Sequence, residues 1–370
     1  MLPGKRLAGS GAVLKMAFSP GVAVKIAIDA MGGDVGPRVT VAAALEFLAR
    51  HDDAGVTLVG QPELIDPVLR ELGGAGRLGT GRLEVCAASD VIEMHDPPVQ
   101  ALRRKRDSSM HRAVELVRDG LAGAAVSAGN TGAWMAISSM TLRTLDGVDR
   151  PALCSLLPNQ KGGLTYMLDL GANVDCRAEH LFQFAIMGSA LVTSVEHREK
   201  PPVGLLNIGS EDIKGNDAVK GAGELLRAAG VRGEINFFGN VEGNDIFKGE
   251  VDVVVCDGFV GNVALKTAEG MAQMIGRSLK SEFERNALTK IAALFSLPAI
   301  KAFRRRYDHR RYNGATLLGL NGIVVKSHGS ADAYGYGCAL DRAYHAVKSG
   351  VLAGITRRLA HADSALKSAA

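Results

Sequence analysis

A doubly wound, mostly parallel α/β sheet is the fold this sequence predicts, on three observations. Short apolar runs recur along the chain, longer amphipathic segments of helical period lie between most of them, and loops rich in Gly, Asn and Asp follow the runs. Strands that are apolar throughout are covered on both faces, and alternation of β with α makes a parallel sheet with helices on each side. Ligands of such sheets bind beyond the carboxyl ends of the strands, so the chemistry is sought there.

The elements follow in order. Apolar runs read as strands lie at 24–28, 56–59, 83–86, 124–126, 164–168, 203–207, 235–238, 251–256 and 323–325. Amphipathic segments at 38–50, 110–119, 178–196, 217–229 and 330–353 read as helices. From Asn262 to about Tyr307 the alternation stops. Residues 263–286 read as one long helix and 287–306 as a second, interrupted by Pro298, so that 263–307 is a protruding helical pair. Residues 23–355 then form one α/β domain, after an expected unstructured extension at 1–22, in which Met16 is an alternative initiator, and before a tail at 356–370.

Composition bounds the function. With 370 residues, 47% hydrophobic and 22% charged, the chain is neither disordered nor a coiled-coil rod. No apolar stretch reaches the ~18 residues of a membrane span, and Lys15 cuts short the only candidate signal-peptide stretch. Aromatic residues at 5% argue against a nucleic-acid stacking platform. The formal net charge is +4, but residues 287–312 alone carry seven Lys and Arg against Asp308, leaving a slightly acidic body. Five cysteines with no C-x-x-C pair read as reduced thiols, Cys86, Cys154 and Cys256 within apolar runs.

The strand ends carry the distinctive residues. The first run ends Asp29-Ala30-Met31-Gly32-Gly33-Asp34, where adjacent glycines let peptide N–H groups approach an anion; a tight turn capped by Asp34 is the plain alternative. The fourth ends Ser127-Ala128-Gly129-Asn130-Thr131-Gly132, which can hold a phosphate or cap the next helix. Later loops bring Asn173, then Glu211-Asp212-Ile213-Lys214-Gly215-Asn216, then Asn240, Asp257-Gly258-Phe259-Val260-Gly261-Asn262, and last Lys326-Ser327-His328-Gly329-Ser330. Lys214 in a Gly-bounded loop can neutralise an anion, against the alternative of a solvated surface Lys. Together these loops would form an anion-binding cleft. The chain has no G-x-G-x-x-G, P-loop, G-x-S-x-G or H-E-x-x-H motif. A reaction that needs no protein nucleophile fits that pattern: a bound phosphate brings its own nucleophilic oxygen, and the protein holds it and stabilises the oxyanion.

Taken together, these loops, with Arg103-Arg104-Lys105, Ser108-Ser109-Met110 and Asp149-Arg150-Pro151, make the chain resemble the PlsX family, the phosphate acyltransferases of bacterial membrane-lipid synthesis. The resemblance runs from about Val24 to about Val351. It implies a phosphotransacetylase/isocitrate-dehydrogenase-like fold and a homodimer built on the long helices. It implies the reaction of an acyl-[acyl carrier protein] with inorganic phosphate to give acyl phosphate and free carrier, supplying phosphatidic acid synthesis, with no cofactor and no metal. The family's catalytic Lys and Asn fall on Lys214 and Asn262. Phosphate or substrate binding is expected of Asp29, Gly32, Gly33, Asp34, Asn130, Thr131, Asn173, Asn216, Asp257, His328 and Ser330.

Two surface roles are expected beside the site. Arg103, Arg104 and Lys105 would dock the acidic carrier protein. Leu294, Phe295, Leu297, Ile300 and Phe303, with Arg304, Arg305 and Arg306, would rest on an anionic membrane, the tip of the pair lying near Pro298. That implies a cytoplasmic enzyme at the inner face of the cell membrane, beside the membrane acyl-phosphate:glycerol-3-phosphate acyltransferase. Two other classes compete. A metal-dependent 2-hydroxy-acid dehydrogenase would need clustered Asp ligands and an adenine-ribose site, and a nucleic-acid binder working through 301–311 lacks base-reading aromatics. No nucleic-acid partner is expected.

Overall fold

The computed structural model describes residues 21–369, and the expected extension lies, but for its last two residues, outside them. Its elements are β1 (Val24–Asp29), α1 (Pro37–Arg50), β2 (Ala54–Gly60), α2 (Pro62–Glu71), β3 (Leu83–Ala87), α3 (Pro98–Arg104), α4 (Ser109–Arg118), β4 (Ala124–Ser127) and α5 (Thr131–Leu142). Then come β5 (Ala152–Pro158), β6 (Leu164–Leu168), α6 (Ala178–Glu196), β7 (Pro202–Leu206), α7 (Asp217–Val231), β8 (Asn236–Val241) and β9 (Val253–Val255). The chain continues through α8 (Gly258–Glu284), α9 (Ala287–Arg306), β10 (Ala315–Leu318), β11 (Ile323–Lys326), α10 (Ala333–Lys348) and α11 (Val351–Ala369).

The strands form one sheet in the order β3-β2-β1-β4-β11-β10-β5-β6-β9-β7-β8. It is parallel from β3 to β11 and again from β6 to β8. Between these blocks β10 and β5 run antiparallel to each other, β10 against β11 and β5 against β6. The mostly parallel, doubly wound sheet is therefore present, with a reversal at its centre. Alternation along each strand divides the core in two. Val41, Phe47, Phe184, Leu226 and Tyr336, from α1, α6, α7 and α10, pack on one face; Met110, Val114, Trp134 and Ile137, from α4 and α5, pack on the other. The start of α8 lies on this second face, with Ala264 and Leu265 against its core.

Several local readings are corrected. The segments that became β5 and β10 were not read as strands; β5 is framed by Pro151 and Pro158, and β10 has only four residues. The first long helix begins at Gly258, five residues earlier than expected, because Asp257 caps it. Its partner α9 runs unbroken through Pro298. The chain turns between the two helices at Arg285 and Asn286, so Pro298 lies inside α9, about 18 Å from the turn at 1.5 Å per residue, and is not the tip. The expected last helix is two, parted at Ser349 and Gly350, and the boundary placed at 355 falls inside α11, whose Ile355 and Leu359 are buried.

Candidate functional site

The first group of site residues closes over β1, β4 and β11. Ser127 is in register with Lys326 across β4 and β11, and Val126 with Ile28 across β4 and β1. The strands therefore finish on one transverse rung, Asp29–Ser127–Lys326, on the α4/α5 face of the sheet. Asp29 is buried and accepts the hydroxyls of Ser109 and Ser127, each at 2.6 Å. Burial raises its pKa, and those hydroxyls with the N–H groups of Met31 and Gly32 pull the other way. Asp29 thus holds its loop from inside rather than facing a ligand.

The three loops meet backbone to backbone. Asp34 N donates to Gly329 O at 2.9 Å, and a Cβ on Gly32 would stand 2.8 Å from Gly129 N. Asp34 does not cap α1, whose N-cap is Gly36 with no side-chain bond. Asn130 does cap α5, accepting Ala133 N at 3.0 Å, and it donates to Met94 O and Asp96 O. Its hydrogen bonds are spent on the start of α5 and on tying the loop before α3 to it. Thr131 is exposed beside it. His328 Nδ1 accepts Ser330 N at 3.3 Å and lies 2.9 Å from Ser330 Oγ. Desolvation and then the nearby Lys266 ammonium hold the imidazole pKa below its ordinary value.

The second group lies at the ends of β6, β9 and β7. Asp169 accepts the N–H groups of Leu153, Ala172 and Asn173 and the Asn173 side-chain amide, between 2.7 and 3.1 Å. Asn173 donates again to Pro151 O, so it too braces a turn. Asp257 accepts Val260 N at 2.8 Å as the N-cap of α8. Gly261 has no room for any side chain, since a Cβ would fall 1.9 Å from Asp169 O. That contact seats the first turn of α8 on the end of β6 and leaves Asn262 exposed next to Gly171. Asn262 stands beyond the first turn of α8 and does not cap it. Asn216 caps α7 through Val219 N and, with Val174, Cys176 and Asp257, lines a small solvent-open cleft. Lys214 is 43% exposed, its ammonium 2.8 Å from Glu211 Oε2, which raises its pKa.

Helix α8 joins the two groups. It starts on Asp169, and two turns later Lys266 and Glu269 reach the surroundings of His328. Asp29, Ser127 and Lys326 on one side and Asp169 and Cys256 on the other all face the layer that holds this helix. Thiol chemistry is poorly served: burial pushes Cys154 and Cys176 up to about 12 and Cys256 well above its ordinary value. Among the described residues, no group of three or more His, Cys, Asp or Glu is placed to hold a metal ion.

The expected surface residues lie apart. Arg103 and Arg104 are exposed in the last turn of α3, whereas Lys105 is tied to Asp96 at 2.5 Å and to Val91 O. On α9, Leu294, Phe295, Leu297 and Phe303 are exposed and Ile300 is half-buried. Arg306 donates to Gln160 O, at the base of the pair, beside the exposed Arg305; the Arg304 side chain lies outside the described residues. No helix among the described residues is long and apolar enough to cross a membrane. Lys326, Asp169 and Lys266 were given no role from sequence. A charged residue closing an apolar strand was the available signal for Lys326.

In fold, this is an α/β protein of the phosphotransacetylase kind. It is similar to a phosphotransacetylase from Streptococcus pyogenes (TM-score 0.57, 19% identity, 88% of this chain and 94% of that one). It is similar also to one from Staphylococcus aureus (TM-score 0.56, 16% identity, the same shares). Residues 24–353 match the family described as fatty acid synthesis protein, and the chain belongs to that family, as the PlsX resemblance implied. A relative from Polaromonas naphthalenivorans named phosphate acyltransferase is 58% identical, covering 94% of this chain and 93% of its own. Relatives of the same name from Delftia acidovorans, at 58% with 92% and 95% covered, and Bordetella parapertussis, at 56% with 94% and 99%, agree.

Proposed function

We propose that the chain transfers the acyl group of an acyl-[acyl carrier protein] to inorganic phosphate, giving acyl phosphate and free carrier for phospholipid synthesis. The observation that carries this reading is the pair of strand-end groups joined by α8. Loops and a helix start with glycines at 32, 33 and 261 lie there, where peptide N–H groups can meet an anion, and burial keeps the Cys176 and Cys256 thiols protonated. A phosphate oxygen attacks the thioester carbon. The carbonyl oxygen becomes an oxyanion, the C–S bond breaks, and the proton lost by phosphate ends on the carrier thiol. Lys214 and Asn262 take the catalytic roles, Lys214 leaving Glu211 to meet the charge that builds on phosphate and oxyanion. Thr131, His328, Ser330 and the glycines at 32 and 33 border the phosphate. Asp29, Asn130, Asn173, Asn216 and Asp257 act indirectly, by fixing the loops and helix starts. The test is release of free carrier thiol from a purified acyl carrier protein thioester. Release that depends on phosphate supports the reaction; none in its presence refutes it.

The helical pair supplies the setting. Leu288, Ile291, Leu294 and Phe295 of α9 and Met271, Met274, Ile275 and Leu279 of α8 are exposed in one chain, Phe295 by 81%. Apolar surface of this extent seeks a partner. The reading is a peripheral, cytoplasmic homodimer in which part of this face packs on a second copy and part meets an anionic bilayer, with Arg305 and Arg306 adding attraction. There the greasy product passes to the membrane acyl-phosphate:glycerol-3-phosphate acyltransferase. Arg103 and Arg104 receive the carrier. Replacing Leu294, Phe295 and Leu297 by Ser should abolish flotation with anionic vesicles and leave soluble turnover intact. Flotation that persists in a dimeric variant places the lipid contact elsewhere.

A further inference from the structure

We infer that the Lys326 ammonium is the charge that holds the phosphate substrate from beneath the loops of β1, β4 and β11, an assignment that rests on the proposed phosphate-dependent reaction. Lys326 ends a central strand and is only 9% exposed. Its Nζ donates to the carbonyls of Ala128, at 3.3 Å, and of Ser327. An ammonium has three N–H donors, and these two carbonyls leave one without a partner among the described residues. No described carboxylate lies within the 4.0 Å of an ion pair with it. Asp29, two strands away and hydrogen-bonded to Ser109 and Ser127, and then Asp34 favour the ammonium through space, and neither touches it. A cation kept from water with no carboxylate in contact is costly, and such a group persists where a ligand supplies the touching charge.

What lies above it fits that ligand. Ala128 O borders Gly329, and Gly329 O stands 3.1 Å from where a Gly33 side chain would begin. Gly33 has φ +99°, a conformation that glycine adopts without strain. The carbonyl of Ala128 that the ammonium holds thus lies in the same loop cluster as Gly33, the Asp34 carboxylate and Gly329, whose neighbours in the chain are His328 and Ser330. A small tetrahedral dianion can take its N–H donors there. It can also take the Lys326 charge, which offsets repulsion from Asp34.

The experiment measures binding apart from turnover. Thermal unfolding is followed with rising inorganic phosphate for the wild-type chain, Lys326→Met and Lys326→Arg, and steady-state kinetics are measured with both substrates. We expect Lys326→Met to melt no lower than wild type without phosphate, because a buried charge is gone. Its affinity for phosphate should fall by about tenfold or more, as for loss of a charge-assisted hydrogen bond. Phosphate KM should rise in step while carrier KM stays put, and Lys326→Arg should recover part of the affinity. Wild-type phosphate affinity in Lys326→Met overturns the inference, as does a lowered melting temperature with phosphate KM unchanged. If the wild-type chain binds phosphate through Lys326 yet releases no carrier thiol, the reaction is misassigned and the anion site stands. If thiol release is normal and Lys326→Met binds phosphate as wild type does, only this inference fails.

Discussion

The two strand-end groups present their cations in opposite ways. Around β1, β4 and β11 the cation is Lys326, buried and bonded only to carbonyls. Around β6, β9 and β7 it is Lys214, exposed and resting on Glu211. The first ammonium is fixed before any ligand arrives, at a cost in stability. The second can swing, at the cost of breaking a surface ion pair that is worth little in water. A fixed charge suits a small ligand that must always sit in one place. A movable charge suits an acyl group delivered by a large carrier, where negative charge appears only as the reaction proceeds.

Removing the movable charge should hurt most. Lys214→Ala should keep its fold and lose turnover by ~10²-fold or more, as for a lost oxyanion-stabilising group. Near-normal rates in a purified variant would erase the contrast.

The fixed charge should show itself in stability. Burial lowers the pKa of Lys326 to about 8, against 10.5 for an ordinary Lys. Below pH 8 both folded and unfolded chains hold the proton, and the full penalty of the buried charge is present. Between about 8 and 10.5 the unfolded chain binds a proton that the folded chain has released, so this contribution to stability rises with pH. Without phosphate, Lys326→Met should therefore be more stable than wild type at pH 7, by up to about 3 kcal/mol. The gap should close as pH climbs towards 10. Chemical unfolding of both proteins across that range checks it; a constant gap would mean that Lys326 is not charged and buried.

Asn262→Asp sharpens the second group. The residue lies beyond the cap of α8 and its side chain is exposed, so thermal stability should hardly move. Phosphate KM should rise several-fold, because a carboxylate repels the anion. Unchanged kinetics would remove Asn262 from the site. The smallest effect belongs to the first group's scaffold. Asn130→Ala removes the cap of α5 and two loop hydrogen bonds, costing about 1–2 kcal/mol of stability. Phosphate KM should rise less than in Lys326→Met. A larger kinetic than structural effect would make Asn130 a ligand.

Much of the fold could be read in the sequence because its parallel strands are apolar on both faces and helices separate them. β5 escaped because Pro151 and Pro158 frame it, and β10 because four residues between loops carry no period. The candidate site was legible as residue types at strand ends, but not which of those residues brace the loops. Asn130 and Asn262 are alike as letters, yet one caps a helix and the other does not. Which of Asp257 and Asn262 caps α8 is decided by the contact of Gly261 with Asp169 O, between residues far apart in the chain. The burial of Lys326 depends on the register of three strands that end at 29, 127 and 326.

In the proposed reaction phosphate, not the protein, attacks the thioester. Rapid mixing of an acyl carrier protein thioester with a stoichiometric amount of enzyme, phosphate rigorously removed, tests it directly. No burst of carrier thiol is expected until phosphate is added, and then acyl phosphate in equal amount. A burst equal to the enzyme before any phosphate is present would reveal an acyl-enzyme and contradict it.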